Sequence, residues 1–208
     1  MAIVINGSGT VTGISVGGLP DGIVDAGTLA TNSVDSAELI DGSIDTAHIA
    51  TDQITSAILP AGSVLQVLQD VKSAEADLST DTFTDISGFS QVITPASSSN
   101  KVLVNVNIGG VGKHSSLVHG YLQIMRSISG GADTAVHVFT RSSVHTDATD
   151  SFFASHESCS FLDSPNTTSA TTYKVQFRRH SAAGYWRMNT NTGTNDVTST
   201  LTLMEIGA

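Results

Sequence analysis

Cysteine is nearly missing from this chain: Cys159 is the only one. An intrachain disulfide is therefore excluded, and packing or association must hold the fold. A protein assembled in a reducing cytosol fits that usage. Charge is scarce as well, at 13% of residues. Bases are almost absent from the first half, where residues 1–100 carry twelve acids against Lys72 alone, a net of −11. Residues 101–208 carry eight bases and seven acids, a net of +1, which completes the overall −10. Phosphate binding needs clustered Lys and Arg, so nucleic acid is not an expected partner. The acidic half reads as a solvated, mutually repelling surface. No stretch approaches the roughly 18 consecutive apolar residues of a membrane helix. The N-terminus has neither a basic segment nor a long apolar run, so neither a membrane span nor a signal peptide is expected.

What is present is Gly, Ser and Thr in quantity, which favours β structure with many turns. A hydrophobic content of 39% is too high for disorder throughout and modest for one large core in 208 residues. The most regular feature is an aliphatic residue at every fifth position: Val24, Leu29, Val34, Leu39, Ile44, Ile49, Ile54, Leu59 and Val64. Five is neither a helix nor a strand period. The flanking residues repeat over ten, as in Val34-Asp-Ser-Ala-Glu-Leu, Ile44-Asp-Thr-Ala-His-Ile and Ile54-Thr-Ser-Ala-Ile-Leu. Asp-Gly at Asp41 and Gly42, and Ser or Thr after most Asp positions, favour turns. Each unit is therefore expected to be one short extended or helical piece plus a turn.

A single chain coiling over these residues would complete only about two coils, below the roughly three that a solenoid needs. Three copies around one axis would instead bury a thin apolar thread along the whole segment. A threefold shaft is the preferred reading, with a solenoid or a disordered linker as alternatives. Residues 1–20 form an attachment segment, in which Ile3 and Ile5, then Val11, Ile14 and Val16, suggest two short strands with no partner of their own. Residues 21–61 form the repeat, and residues 62–208 a β domain. "GSVLQVLQ", "DTFTDISGF", "KVLVNVNIGG", "GYLQIMRS", "TAVHVFTRS", "SFFASHESCSFL", "TTYKVQFRRH" and "STLTLMEIGA" read as strands between turn-rich stretches. That number and spacing suit a jelly-roll or related sandwich. A helical neck over Ser63 to Asp77 is the alternative there, because Val64, Val67, Val71 and Ala74 fit one helical face.

"MAIVINGSGTVTGISVGGLPDG", "SVDSAELIDGSIDTAHIA", "GSVLQVLQ", "VITPASSSNKVLVNVNIGG" and "STLTLMEIGA" together cover much of the chain. In these stretches the sequence resembles tail-fibre-like virion proteins of bacteriophages, particularly of marine bacteria. The resemblance implies a homotrimer in a virion assembled in the bacterial cytoplasm. An N-terminal segment would dock on another virion protein, the repeats would form a shaft, and a C-terminal β head would face a host glycan or protein. Only four decapeptides are present, which leaves short fibre, spike and capsid decoration or head fibre open. No cofactor is implied.

No chemistry-bearing cluster emerges. The seven histidines form neither His-x-His nor a His-x₃-His pair, and Cys159 has no partner Cys, so no metal site is expected. In "SHESCS", strand alternation would turn His156 and Ser158 to one face and Glu157 and Cys159 to the other, and no nucleophile elbow accompanies them. The few carboxylates after residue 100 lie mostly in expected turns, where a glycosidase pair is not foreseen. An enzyme is accordingly not expected. For binding, "FRRHSAAGYWRMNTNTGTND" gathers Arg178, Arg179, His180, Tyr185, Trp186, Arg187, Asn189 and Asn191 into one strand-loop-strand passage. An aromatic face with guanidinium and amide donors suits a sugar or an anionic surface group. Equally, Trp186, the only Trp, is a candidate for the core or for a trimer interface.

Overall fold

The computed structural model describes residues 4–5, 11–12, 29, 34, 39, 44–55, 57–114, 118, 120–138, 155–180, 184–190 and 197–208. Among these the protein is mainly β, without a helix, and its contacts divide it into two units, Met1–Gln53 and Ile54–Ala208. The division falls within the repeat. In the first unit, β1 (Val4–Ile5) pairs antiparallel with β2 (Val11–Thr12), Val4 opposite Thr12 and Ile5 opposite Val11. These two strands were expected to lack a partner; they are partners of each other. Ile3, Ile14 and Val16 lie outside the described residues.

The five-residue period has a simple physical basis. Backbone N–H groups of His48, Gln53, Ile58 and Ser63 donate to the carbonyls of Asp45, Ala50, Thr55 and Pro60, at 3.0–3.2 Å. Each bond closes a four-residue turn, and one aliphatic residue, Ile49, Ile54, Leu59 or Val64, comes directly after each turn. Side chains reinforce the first turn: Asp45 Oδ1 accepts from the Ala47 N–H at 2.9 Å and lies 2.8 Å from His48 Nδ1. Ser63 Oγ donates to the Pro60 carbonyl at 2.7 Å in the last. A four-residue turn plus one linking residue gives the spacing.

Among its described residues the second unit holds ten strands in two antiparallel sheets. The larger sheet has the order β3 (Val64–Lys72), β12 (Ser199–Ile206), β6 (Lys101–His114), β11 (Tyr185–Met188), β4 (Ala76–Leu78), with β9 (Ser155–Asp163) also paired to β6. The smaller runs β5 (Thr84–Ile93), β10 (Thr171–Arg179), β7 (Gly120–Ile128), β8 (Thr134–Val138). The arrangement is compatible with a β-sandwich. Alternation is clean where a strand buries one face: Leu201 and Leu203 of β12, and Tyr173, Val175 and Phe177 of β10, are buried while their neighbours are not. These residues join Val102, Val104, Val106 and Ile108 of β6 and Leu122 and Ile124 of β7 in one apolar core.

Residues 64–72 form a strand, not the helical neck. Their helix-like spacing arises from a bulge: Gln66 pairs with Glu205 and Val64 with Ile206, so Leu65 is the extra residue. The bulge brings Val64 to the same face as Val67 and Val71. Polar ties then span the core. The Asp163 carboxylate of β9 accepts from Arg126 of β7 at 2.7 Å and from the Tyr173 hydroxyl of β10 at 2.6 Å. Burial, and then the Asp163 carboxylate, hold the Tyr173 phenol well above the usual range. Glu205 is buried and accepts from the Ala96 N–H, Asn100 Nδ2 and Gln66 Nε2 at 2.5–2.6 Å.

Candidate functional site

The repeat presents an exposed apolar series. Leu29, Val34, Leu39, Ile44, Ile49, Ile54 and Leu59 are all exposed, between 38% and 53%. Val24 lies outside the described residues. A single chain thus leaves open to water the side chains that its periodicity singles out.

The stretch from Arg178 to Asn191 is sorted by the alternation of its strands. Trp186 and Met188 face inward on β11 and are fully buried. The indole stacks on Phe177 with centroids 5.1 Å apart, and Trp186 pairs across the strands with Lys113 and Leu78. In this chain Trp186 is a core residue and is not available to a surface ligand. Asn189 is likewise structural: at φ 54° it occupies the left-handed region that Asn tolerates. It is buried; its Nδ2 donates to the carbonyls of Lys72 and Ala74 at 2.8 and 3.0 Å, and its Oδ1 accepts from Ser199 Oγ at 2.6 Å. Beside it, the Asn189 and Thr190 N–H groups donate to Gly109 and Gly110. Gly110 has φ +54°, and a Cβ there would meet the Thr190 nitrogen at 2.7 Å, while one on Gly109 would meet the Thr198 carbonyl oxygen at 2.7 Å, so each glycine of "GG" in β6 answers its own close approach. Asn191 lies outside the described residues.

Two of the three guanidiniums are engaged in local ties. Arg179 Nε donates to Asp81 at 2.6 Å and its Nη1 to the Gly184 carbonyl at 2.6 Å. Arg187 donates to Asp77 at 2.5 and 2.8 Å, lies 3.3 Å from Glu75, and sits over the Tyr185 ring. The bond from Arg179 holds the Asp81 carboxyl below its ordinary value, and the Asp77 bond raises the Arg187 guanidinium. Arg178 differs. It faces away from the core over the Tyr121 ring at 4.2 Å and the Phe83 ring at 5.1 Å, and the Tyr121 hydroxyl lies 3.1 Å from His180 Nδ1. A second stack, His114 on Tyr185 at 4.9 Å, ends β6 and β11. Aromatic faces beside a cation are suited to the apolar face of a sugar or to an anionic group. Tyr121 and Phe83 escaped sequence reasoning because only the β7–β10 register places Tyr121 opposite Arg178.

Catalytic and metal chemistry find little to work with among the described residues. No group of three His, Cys, Asp or Glu side chains is placed to hold a metal. On β9, His156, Ser158 and Ser160 are exposed while Glu157 and Cys159 are half-buried, which separates the side chains of "SHESCS" as strand alternation requires. Burial pushes the Cys159 thiol up, the opposite of an activated thiolate. A shallow hollow of about 430 Å³ opens on the outward face of β6, β9 and β12, lined by Asn105, Asn107, Ser158, Ser160 and Thr200 among others. No described helix is long and apolar enough to cross a membrane. A scan against models of protein families finds no match to the chain, and no curated protein matches it.

Proposed function

We propose that this chain is a phage virion structural protein: a short tail fibre or spike that trimerises through its repeat and meets the host with a jelly-roll-like β head. The observation that carries the proposal is the exposure of every described residue in the five-residue apolar series. Exposing a regular line of Leu, Val and Ile to water is unfavourable by roughly 25 cal/mol per Å² of apolar surface, and threefold closure removes it along the whole segment. Residues 1–20 serve as the dock to another virion protein. The head adheres through the outward group Arg178, Tyr121, His180 and Phe83, together with His114 and Tyr185. Three copies displayed together turn weak single contacts into firm attachment.

The test uses particles that carry the protein, their host cells and the purified full chain. Antibody label at the tail, and block of adsorption by the purified chain, are the expected results. Relief of that block by Arg178→Ala would assign it to the head. Label spread over the capsid, with adsorption unaffected, would overturn the adhesive role in favour of a decoration protein that coats or stabilises the particle.

A further inference from the structure

We infer that the outward face of β3, β12, β6 and β9 is the surface by which the heads of three copies of this chain pack against one another. The inference rests on the trimer reading above and assigns it a face. It begins with continuity. The succession of turns ends at Ser63, and the next aliphatic residue of the series, Val64, is the first residue of β3. The bulge at Leu65 then sets Val64, Val67 and Val71 on one face, where all three are about half exposed. The exposed apolar line that begins at Leu29 therefore passes into β3 without a break in sequence.

The register carries that line across the sheet. Val67 lies opposite Met204, Met204 opposite Leu103, and Leu103 opposite Leu162. Leu162 is exposed, and Met204 and Leu103 are half-buried. At the strand spacing of about 4.8 Å this row is roughly 14 Å long. Ile206 and Val64 extend it on one side. On the other side Gln69, Thr202, Asn105 and Ser160 form a polar row whose groups already bond one another: Gln69 to Thr202 at 2.8 Å and Ser160 to Asn105 at 2.7 Å. Bonds within the row leave fewer donors and acceptors for a covering surface to satisfy, which suits a packed interface with a polar rim.

Charge selects the occupant. In these rows Lys101 is the only charged residue, whereas the opposite sheet turns Asp85, Lys174 and Arg178 outward. A chain of net charge −10 repels its own copies. This face, with Lys101 as its one charge, is where copies approach one another at least electrostatic cost, and it offers little to attract a charged partner. The shallow hollow beside the apolar row leaves room for side chains of the neighbouring copy.

The test is thiol protection in the full chain. In a Cys159→Ser background, single cysteines replace Val67, Leu162 or, as control, Val92, which is exposed as much as Leu162 (46% and 47%) but lies on β5 of the other sheet. Labelling by a small maleimide should be at least tenfold slower at positions 67 and 162 than at 92. The pair Val67→Asp and Leu162→Asp should raise the concentration at which the trimer dissociates by tenfold or more, and Val92→Asp should not. Equal labelling in a chain that sediments as three copies would overturn this face alone. A parent that sediments as one copy would overturn the trimer reading beneath it. If the Asp variants fail to fold, the labelling rates decide.

Discussion

Two regions of the chain treat the same kind of residue in opposite ways. From Leu29 to Leu59 the described aliphatic side chains stand open to solvent, whereas Val104, Ile108, Leu201 and Leu203 of the β unit are fully enclosed by the chain's own strands. Both regions are rich in Val, Leu and Ile. The difference lies in period: alternation by two lets a sheet turn its apolar residues to one side, while a turn every five residues leaves the described aliphatic residues of the series exposed. The β unit encloses its apolar residues within one chain, and the described residues of the repeat are left for the proposed assembly to cover.

The largest effect should come from attacking the enclosed region. Trp186→Ala removes the ring stacked on Phe177 and should lower unfolding stability by about 3–5 kcal/mol, as large-to-small core changes do. Chemical denaturation of the β unit measures this; an unmoved transition would remove Trp186 from the core. Attacking the open region should do the reverse. Ile49→Ser with Ile54→Ser should weaken association, each lost side chain contributing about 1.5–3 kcal/mol where threefold packing buries it. The denaturation profile of the β unit should stay in place, and a parallel fall in both would erase the contrast.

Smaller changes sharpen the account of the core. Tyr173→Phe leaves the ring but removes the hydroxyl that donates to Asp163, and should destabilise by about 1–3 kcal/mol in denaturant titrations. The smallest effect concerns acid. Burial alone would raise the Asp85 carboxyl, but bonds from Lys174 and Gln176 outweigh it and hold the group below its ordinary value. A depressed folded-state value means stability that is present above about pH 4 and is lost as pH falls through the folded value. Asp85 is 48% exposed, so solvent screening limits the contribution to a fraction of about 1 kcal/mol. Lys174→Met should make the loss of stability below about pH 4 slightly shallower in acid titrations; an unchanged profile would leave the pair without energetic weight.

Much of the β unit was legible because long strands repeat their pattern. The Val102, Val104, Val106, Ile108 alternation and that of β12 identify an inward face directly. β4 was not legible, since three residues cannot display a period, and the bulge at Leu65 imitated a helical face. The burial of Trp186 carried a signal that alternation could have read: it shares parity with apolar Met188, while Tyr185 and Arg187 take the other face. The outward pairing of Tyr121 with Arg178 was beyond reach, because side chains distant in sequence meet only once register is fixed. The five-residue period was visible, but its basis in successive four-residue turns emerges only from the backbone bonds.

The central claim is that the repeat closes only between copies, and solution mass tests it most directly. Light scattering on the purified full chain should give a mass about three times the 21.5 kDa of one chain, persisting at micromolar concentrations. A compact particle with the mass of a single chain would contradict the account.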